Sequence, residues 1–312
     1  MEIAAGDLSA QGLGLDGATH ERWAGAVTNI IHSAGNVRLN QTLEVARADS
    51  VLPIQHVVAF AERCVAQGQF QKLEYLSTVG VAGRSVASLP ERPLQETPQF
   101  HNTYEHAKFE AEQWLLKKME GGFPATIFRP SMVVGDTQTG KIIHFQVFYY
   151  LAAFLTGQRT AGILPNLGDV RLDIIPADYV ARALVLSISH PETRGKIFHL
   201  ASGPKSMTLA RLSEFLRNHE KRKGKKLPAI RSIPSSWMRK SLPWVRSFLP
   251  HKVRRSVDTL PYFLDYLEES QRFENQATEA FFSKLGLHLS EPMSYLPQLM
   301  QYHDERRAKA AP

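Results

Sequence analysis

Four short runs of β-branched and aromatic residues leave this chain few architectures: VTNIIH (Val27 to His32), KLEYLST (Lys72 to Thr78), ATIFR (Ala125 to Arg129) and KIFHLA (Lys196 to Ala201). They are mostly continuous rather than alternating, as strands covered on both faces should be. Stretches with apolar residues at helical spacing lie between them, Val51 to Ala66 and Thr103 to Met119 among them. This order predicts an α/β protein built on a parallel sheet. Asp178 to Ser187 follows Ile174-Ile175-Pro176 and reads as a strand-to-helix junction capped by Asp178. Past residue 203 the strand signal fades. Thr208 to Glu220 is an amphipathic helix ending in a basic cluster, Lys221 to Lys226, and two or three further helices follow. We therefore expect a sheet-bearing part formed by 1–136 and 173–203, and a mainly helical part formed by 137–172 and 204–312.

Composition removes several function classes. A chain of 312 residues that is 43% hydrophobic and 21% charged can bury a sizeable core. Its single cysteine, Cys64, rules out an internal disulfide and a cysteine-based zinc cluster, and fits a reducing, cytoplasmic setting. The opening MEIAAGDLSAQGLG lacks the basic and apolar regions of a signal peptide. The longest apolar run, Phe145 to Leu155, is shorter than the roughly 18 residues of a membrane span. His101, His106, His144 and His199 show no metal-ligand spacing, so no metal is expected.

Tyr104 and Lys108 form a YxxxK pair, which a helix places on one face a turn apart. A neighbouring ammonium stabilises a phenolate, so we expect it to lower the Tyr104 pKa and ready the phenol for proton exchange with a carbonyl oxygen. Alone, the spacing is equally that of a surface Tyr/Lys pair. Context adds a strand ending in Ser77-Thr78, about 26 residues upstream.

Six further segments carry a family resemblance. EYLSTVGVAG resembles a strand and turn ending in a catalytic hydroxyl, with Thr78 at that position. FRPSMVVGD (Phe128 to Asp136), IIHSAG (Ile30 to Gly35), LDIIPADYVARAL (Leu172 to Leu184) and KIFHLAS follow in the expected places. FENQATEAFFSKLGLHLSEPMSYLPQLMQY (Phe273 to Tyr302) matches an "F-x-N-x-x-T" and "Y-L-x-x-L-x-x-Y" pattern. The chain thus resembles the extended short-chain dehydrogenase/reductase superfamily, in its thioester-reductase, fatty-acyl-reductase-like (male-sterility type) branch.

The resemblance implies a Rossmann-type NAD(P)-binding domain with a helical substrate domain. It also implies NADP as cofactor, with NAD left open, and reduction of acyl thioesters or the aldehydes they yield. Thr78, Tyr104 and Lys108 would be catalytic. Asp7, Leu8, His32, Ala34, Gly35, Ser77, Tyr104, Lys108, Pro130, Ser131 and Val133 would face the cofactor, and Gln138 to Leu172 with the C-terminal helices the substrate. An acidic acyl carrier protein or coenzyme A would present the thioester, and paired Thr103 to Met119 helices would form a homodimer. A nucleotide-sugar epimerase/dehydratase, or a sterol-type dehydrogenase, shares the same three groups. A non-catalytic remnant serving as a binding module is the alternative outside enzymes.

The chain departs from the family at its front. Complete members open with a strand, a GxxGxxG turn and a helix; here Gly6-Asp7-Leu8 already resembles the end of the third strand. Roughly 60 residues, two β-α units, are therefore expected to be missing, leaving an incomplete sheet. Gly12-Leu-Gly14-Leu-Asp-Gly17 spells GxGxxG, but a poor strand precedes it and no acid follows about 20 residues on, so we read a plain loop. NADPH binding is accordingly expected to be weak or absent. Ser235 to Ser256 interleaves Trp237, Trp244 and Phe248 with arginines and lysines. It carries no nucleic-acid recognition signature; peripheral membrane contact, docking of an acidic carrier, and an ordinary solvated helical cap all fit it.

Overall fold

The computed structural model describes residues 2–84, 88–145, 147–166, 168–234, 236–237 and 272–310. In chain order, its elements are α1 (Gly17–Ala24), β1 (Asn29–His32), α2 (Leu43–Ala66), β2 (Lys72–Leu76), β3 (Ser88–Leu89) and α3 (Thr103–Glu120). There follow β4 (Ala125–Pro130), β5 (Met132–Val134), α4 (Val147–Leu155), β6 (Ile163–Pro165), β7 (Arg171–Leu172), β8 (Ile174–Pro176), α5 (Ala177–Ile188) and β9 (Ile197–Leu200). The rest comprises β10 (Met207–Thr208), α6 (Leu209–Arg222), β11 (Arg231–Ile233), β12 (Arg272–Phe273), α7 (Gln276–Lys284) and α8 (Pro292–Ala310).

The fold is α/β and Rossmann-like. Its main sheet has four parallel strands in the order β1-β2-β4-β9, so the carboxyl ends of all four share one edge. Helices cover both faces. Ile54, Val57 and Val58 of α2 and Ala111 and Leu115 of α3 pack on Leu73, Tyr75 and Ile127. On the other face, Tyr179, Val180 and Ala183 of α5 and Phe282 of α7 pack on Phe128 and Phe198. Double coverage explains why β2 can bury even its charges. The Lys72 ammonium lies 2.9 Å from Glu74 and donates to Ser187 O at 2.6 Å and Thr193 Oγ1 at 2.5 Å. At the sheet's edge, Ile31 of β1 is 40% exposed. A second core joins α4, α6 and α8 through Phe148, Leu151, Leu155, Leu212, Leu216, Tyr295 and Leu299.

Three local expectations are corrected. Helix α2 starts at Leu43 rather than Val51, because the Thr42 hydroxyl accepts the Val45 N–H and supplies an N-cap further upstream. Strand β2 stops at Leu76, since Thr78 turns out of the sheet to cap the short turn Val79–Ala82. Asp178 does not cap α5; Pro176 holds that position, and the Asp178 carboxylate accepts from Thr137 N at 3.1 Å and Thr137 Oγ1 at 2.7 Å.

The "F-x-N-x-x-T" segment ties the end of the chain to the sheet. Phe273 pairs with Leu89, Asn275 Nδ2 donates to Ala201 O at 2.8 Å, and Thr278 Oγ1 accepts from His199 N at 2.9 Å. Gly203, at φ +53°, lies so close to Asn275 that a Cβ there would sit 2.6 Å from its Oδ1. Glu91 accepts the N–H groups of Ala277 at 2.7 Å and Thr278 at 3.1 Å, and so caps α7 from 186 positions away.

Candidate active site

At the carboxyl edge of the sheet, β2 ends and the chain turns through Thr78, whose Oγ1 accepts the Gly80 N–H at 3.1 Å. Helix α3 starts beside it, capped by Asn102 Oδ1 on Glu105 N at 3.0 Å, which places Tyr104 on its first turn. The Tyr104 phenol lies within interaction range of the Thr78 side chain, which favours its ionised form. One turn on, Lys108 is 7% exposed and donates to Tyr75 Oη at 2.8 Å and Leu76 O at 2.9 Å.

The electrostatics of the pair differ from the expectation drawn from its spacing. Burial pushes the Tyr104 phenol up to about 12; the nearby Thr78 hydroxyl opposes the rise and the Glu105 charge adds to it. Lys108 does not lower it, because its ammonium is turned onto Tyr75 and Leu76. Burial instead brings Lys108 down to about 8, opposed by the Glu112 carboxylate. In this geometry Tyr104 is a phenol, hence a proton donor, throughout the physiological range.

The other expected cofactor-facing residues divide into groups. Pro130 ends β4, the Ser131 N–H bonds Leu200 O at 3.0 Å, and Val133 pairs with Ile175; all three follow the same sheet edge. His32 ends β1, stacks on Tyr75 at 5.6 Å, and is brought down to about 4 by burial and by the Lys108 charge. Ala34 and Gly35 are exposed beyond it, and a Cβ added at Gly35 would meet nothing within 4 Å. The Ser77 hydroxyl is spoken for, since it donates to Glu112 Oε2 at 2.5 Å. Asp7 is exposed and accepts from Ser9 N at 2.8 Å and Ser9 Oγ at 2.6 Å, which holds its carboxyl below the usual range. The Leu8 carbonyl meets His56 Nδ1 at 2.9 Å.

Two buried charges behind the site escaped sequence reasoning. Arg129 and Glu112 are both 0% exposed, with Nη2 to Oε1 at 2.5 Å and Nε to Oε1 at 3.1 Å. Arg129 Nη1 also donates to Pro90 O at 3.3 Å and Arg92 O at 3.1 Å, anchoring the segment between Thr78 and α3. The available signal was periodic: Glu112 follows Tyr104 and Lys108 at i+8 and i+4, on one helix face. Farther along the edge, Asp173 accepts from Ser202 N and Gly203 N, both at 2.7 Å, and burial raises it to about 6.

A nicotinamide cofactor's fit is uneven. Lys108 has a third N–H beyond its two bonds, and Tyr104 and Thr78 stand at the edge where such a ring would react. No glycine turn leading directly from a strand into a helix is present among the described residues. The Gly12-to-Gly17 stretch follows no strand and folds back on Asp7, whose N–H bonds Leu13 O at 2.8 Å. His219, Glu220 and Asp304 converge within 4.8 Å, but Lys223 and Lys225 already neutralise the two carboxylates. Most of the basic aromatic stretch, 238–256, lies outside the described residues. No described helix is long and apolar enough to cross a membrane.

Comparison with known proteins adds a family. The family model described as "Male sterility protein" matches residues 1–184. The chain is 24% identical over 214 residues to the non-canonical nonribosomal peptide synthetase FrzA of Cladobotryum sp, covering 66% of this chain and 20% of that one. It is 25% identical over 206 residues to the aldehyde reductase lnbA of Aspergillus flavus, covering 63% and 20% respectively. The chain therefore spans about a fifth of the length of these relatives. Among solved structures, the terminal R domain of the myxalamid PKS-NRPS pathway superposes with a TM-score of 0.79 at 23% identity, over 97% of this chain and 74% of that one. A thiolation-reductase di-domain of an archaeal non-ribosomal peptide synthetase gives 0.74 at 18%, over 97% and 61%. At such identities the likeness establishes the fold.

Proposed function

The chain belongs to the male sterility protein family, and from that premise we propose that it is an NADPH-dependent reductase of acyl thioesters or of the aldehydes they yield. The observation that carries this reading is the juxtaposition of the Thr78 hydroxyl and the Tyr104 phenol at the sheet's carboxyl edge. A carbonyl oxygen bound between the two would meet two donors at once.

The nicotinamide cofactor, when bound, supplies hydride to the carbonyl carbon. Tyr104 gives its phenolic proton to the oxygen as negative charge develops there. Thr78 donates a hydrogen bond to the same oxygen and fixes it. Lys108 offers its remaining N–H to the ribose. With a thioester, the resulting hemithioacetal releases its thiol and leaves an aldehyde. With an aldehyde, the product is the alcohol. Relatives described as an aldehyde reductase and a nonribosomal peptide synthetase, and a solved thiolation-reductase di-domain, support carbonyl substrates of this class.

The test is NADPH consumption at millimolar cofactor with an acyl-CoA, an acyl carrier thioester, a free aldehyde and a UDP-sugar. Turnover of the first three and not the last is expected; turnover of the UDP-sugar alone would favour the epimerase/dehydratase reading. Tyr104→Phe is expected to reduce turnover by about 10²- to 10⁴-fold. An unchanged rate in that variant would remove Tyr104 from the chemistry.

A further inference from the structure

Lys108 is held by contacts that the YxxxK spacing does not supply. Its ammonium lies 2.8 Å from Tyr75 Oη and 4.4 Å from the centre of the Tyr75 ring. A second bond, at 2.9 Å, goes to the carbonyl of Leu76, the next residue of the same strand. Tyr75 is 1% exposed, and its ring is backed by His32, stacked with an interplanar angle of 26°. The groups facing the ammonium are therefore Tyr75 and Leu76 from β2, His32 from β1, and Glu112 from its own helix. Glu112 is already engaged by Arg129 and Ser77.

An ammonium carries three N–H donors in a tetrahedral arrangement. With Tyr75 Oη and Leu76 O each taking one, the direction of the third is fixed by the strand and not by the flexible lysine stem. We infer that Tyr75 is a positioning residue for Lys108: its hydroxyl and ring hold the ammonium in place before any ligand arrives, leaving one N–H for a vicinal diol such as the cofactor ribose. The inference rests on the reductase reading for the identity of the diol, but not for the contact itself. It also gives a reason for a tyrosine in a buried strand, where phenylalanine would pack equally well and leave no hydroxyl to be satisfied. The acceptor oxygen and the ring face both favour the charged amine, against the burial that opposes it.

The experiment is competitive acetylation of the full chain with trace acetic anhydride across the pH range, with each lysine read by mass spectrometry, in wild type and in Tyr75→Phe. Phenylalanine keeps the ring and removes the acceptor. Lys108 is expected to titrate about one pH unit lower in the variant while the other lysines stay in place. Tyr75→Trp presents a donor instead of an acceptor and is expected to give the same fall, so misfolding of one variant leaves the other to report. In NADPH turnover, Tyr75→Phe should raise the KM for NADPH severalfold and change kcat less than about twofold, since it acts through ribose binding. A Lys108 titration that does not move in a folded variant overturns the positioning role, even in an active enzyme. Failure to find any nicotinamide-dependent turnover overturns the reductase reading and leaves the labelling result to stand on its own.

Discussion

The Glu112 carboxylate closes on the Arg129 guanidinium where neither side chain touches solvent, with the nearest pair of atoms 2.5 Å apart. The pair joins α3 to β4 directly behind the catalytic candidates. Through Ser77 on one side and the carbonyls of Pro90 and Arg92 on the other, it fixes both approaches to Thr78.

Breaking this pair on one side leaves a buried charge without its counterpart, which costs about 3–5 kcal/mol. Arg129→Met is therefore expected to lower the urea midpoint by that equivalent, with Glu112→Gln less severe because the amide still accepts one bond. A loss below about 1 kcal/mol in Arg129→Met would show that water reaches the site and screens the charge.

On the reductase reading, Lys108, brought down to about 8 by burial, sets the alkaline side of catalysis. On that reading its charged form is the one that holds the ribose. Activity should therefore be full below about pH 8 and fall as pH rises through it. Tyr104, pushed up to about 12, stays protonated over the whole range and contributes no break of its own. The profile of kcat/KM between pH 6 and 10 checks this; a rising alkaline limb would mean that an uncharged amine is the working form.

On the proposed mechanism, Thr78→Val removes one of the two donors to the reacting oxygen and keeps the shape. A loss of about 10²- to 10³-fold in kcat, with little change in thermal midpoint, is expected. A serine at the same position should restore much of the rate.

Those three groups were legible because their spacing is short and local: a YxxxK step on one helix, and a hydroxyl at the end of a strand rich in apolar residues. The sheet was legible for the same reason, four runs whose continuity reports burial on both faces. The remainder depended on contacts between distant parts of the chain. Nothing around Glu91 marks it as the cap of a helix starting at Gln276, and nothing in KLEYL says that Tyr75 will meet Lys108. Asp178 sits where a cap is expected by pattern, yet Pro176 already provides the extended residue that begins the helix, which frees the carboxylate for Thr137.

His32 gives the protein an acid-sensitive element. Its pKa falls from the ordinary 6.5 to about 4 in the fold, so the unfolded chain takes up the proton first. The associated stability is complete above about pH 6.5 and drains away as pH falls toward 4. Between pH 7 and 4.5 this loss amounts to about 2–3 kcal/mol. His32→Phe keeps the stacking on Tyr75 and should lose less stability over that interval, as read from urea unfolding at the two pH values. Equal losses in both proteins would mean that His32 is hydrated in the folded state.

Cofactor affinity is expected to be poor in these 312 residues, because the described part offers the proposed ribose contact at Lys108 but no phosphate-cradling glycine turn. Fluorescence titration should place the Kd for NADPH well above the low-micromolar range. Tight binding would point to phosphate ligands elsewhere in the chain.

The cap that Glu91 places on α7 bears on how the molecule is made. Residue 91 leaves the ribosome long before residues 277 and 278, so the segment anchored by Arg129 between the threonine and the tyrosine gains its last anchor only once α7 has emerged. Nascent chains stalled before α7 should expose this region to protease, and its protection should arrive in a single late step rather than with the sheet.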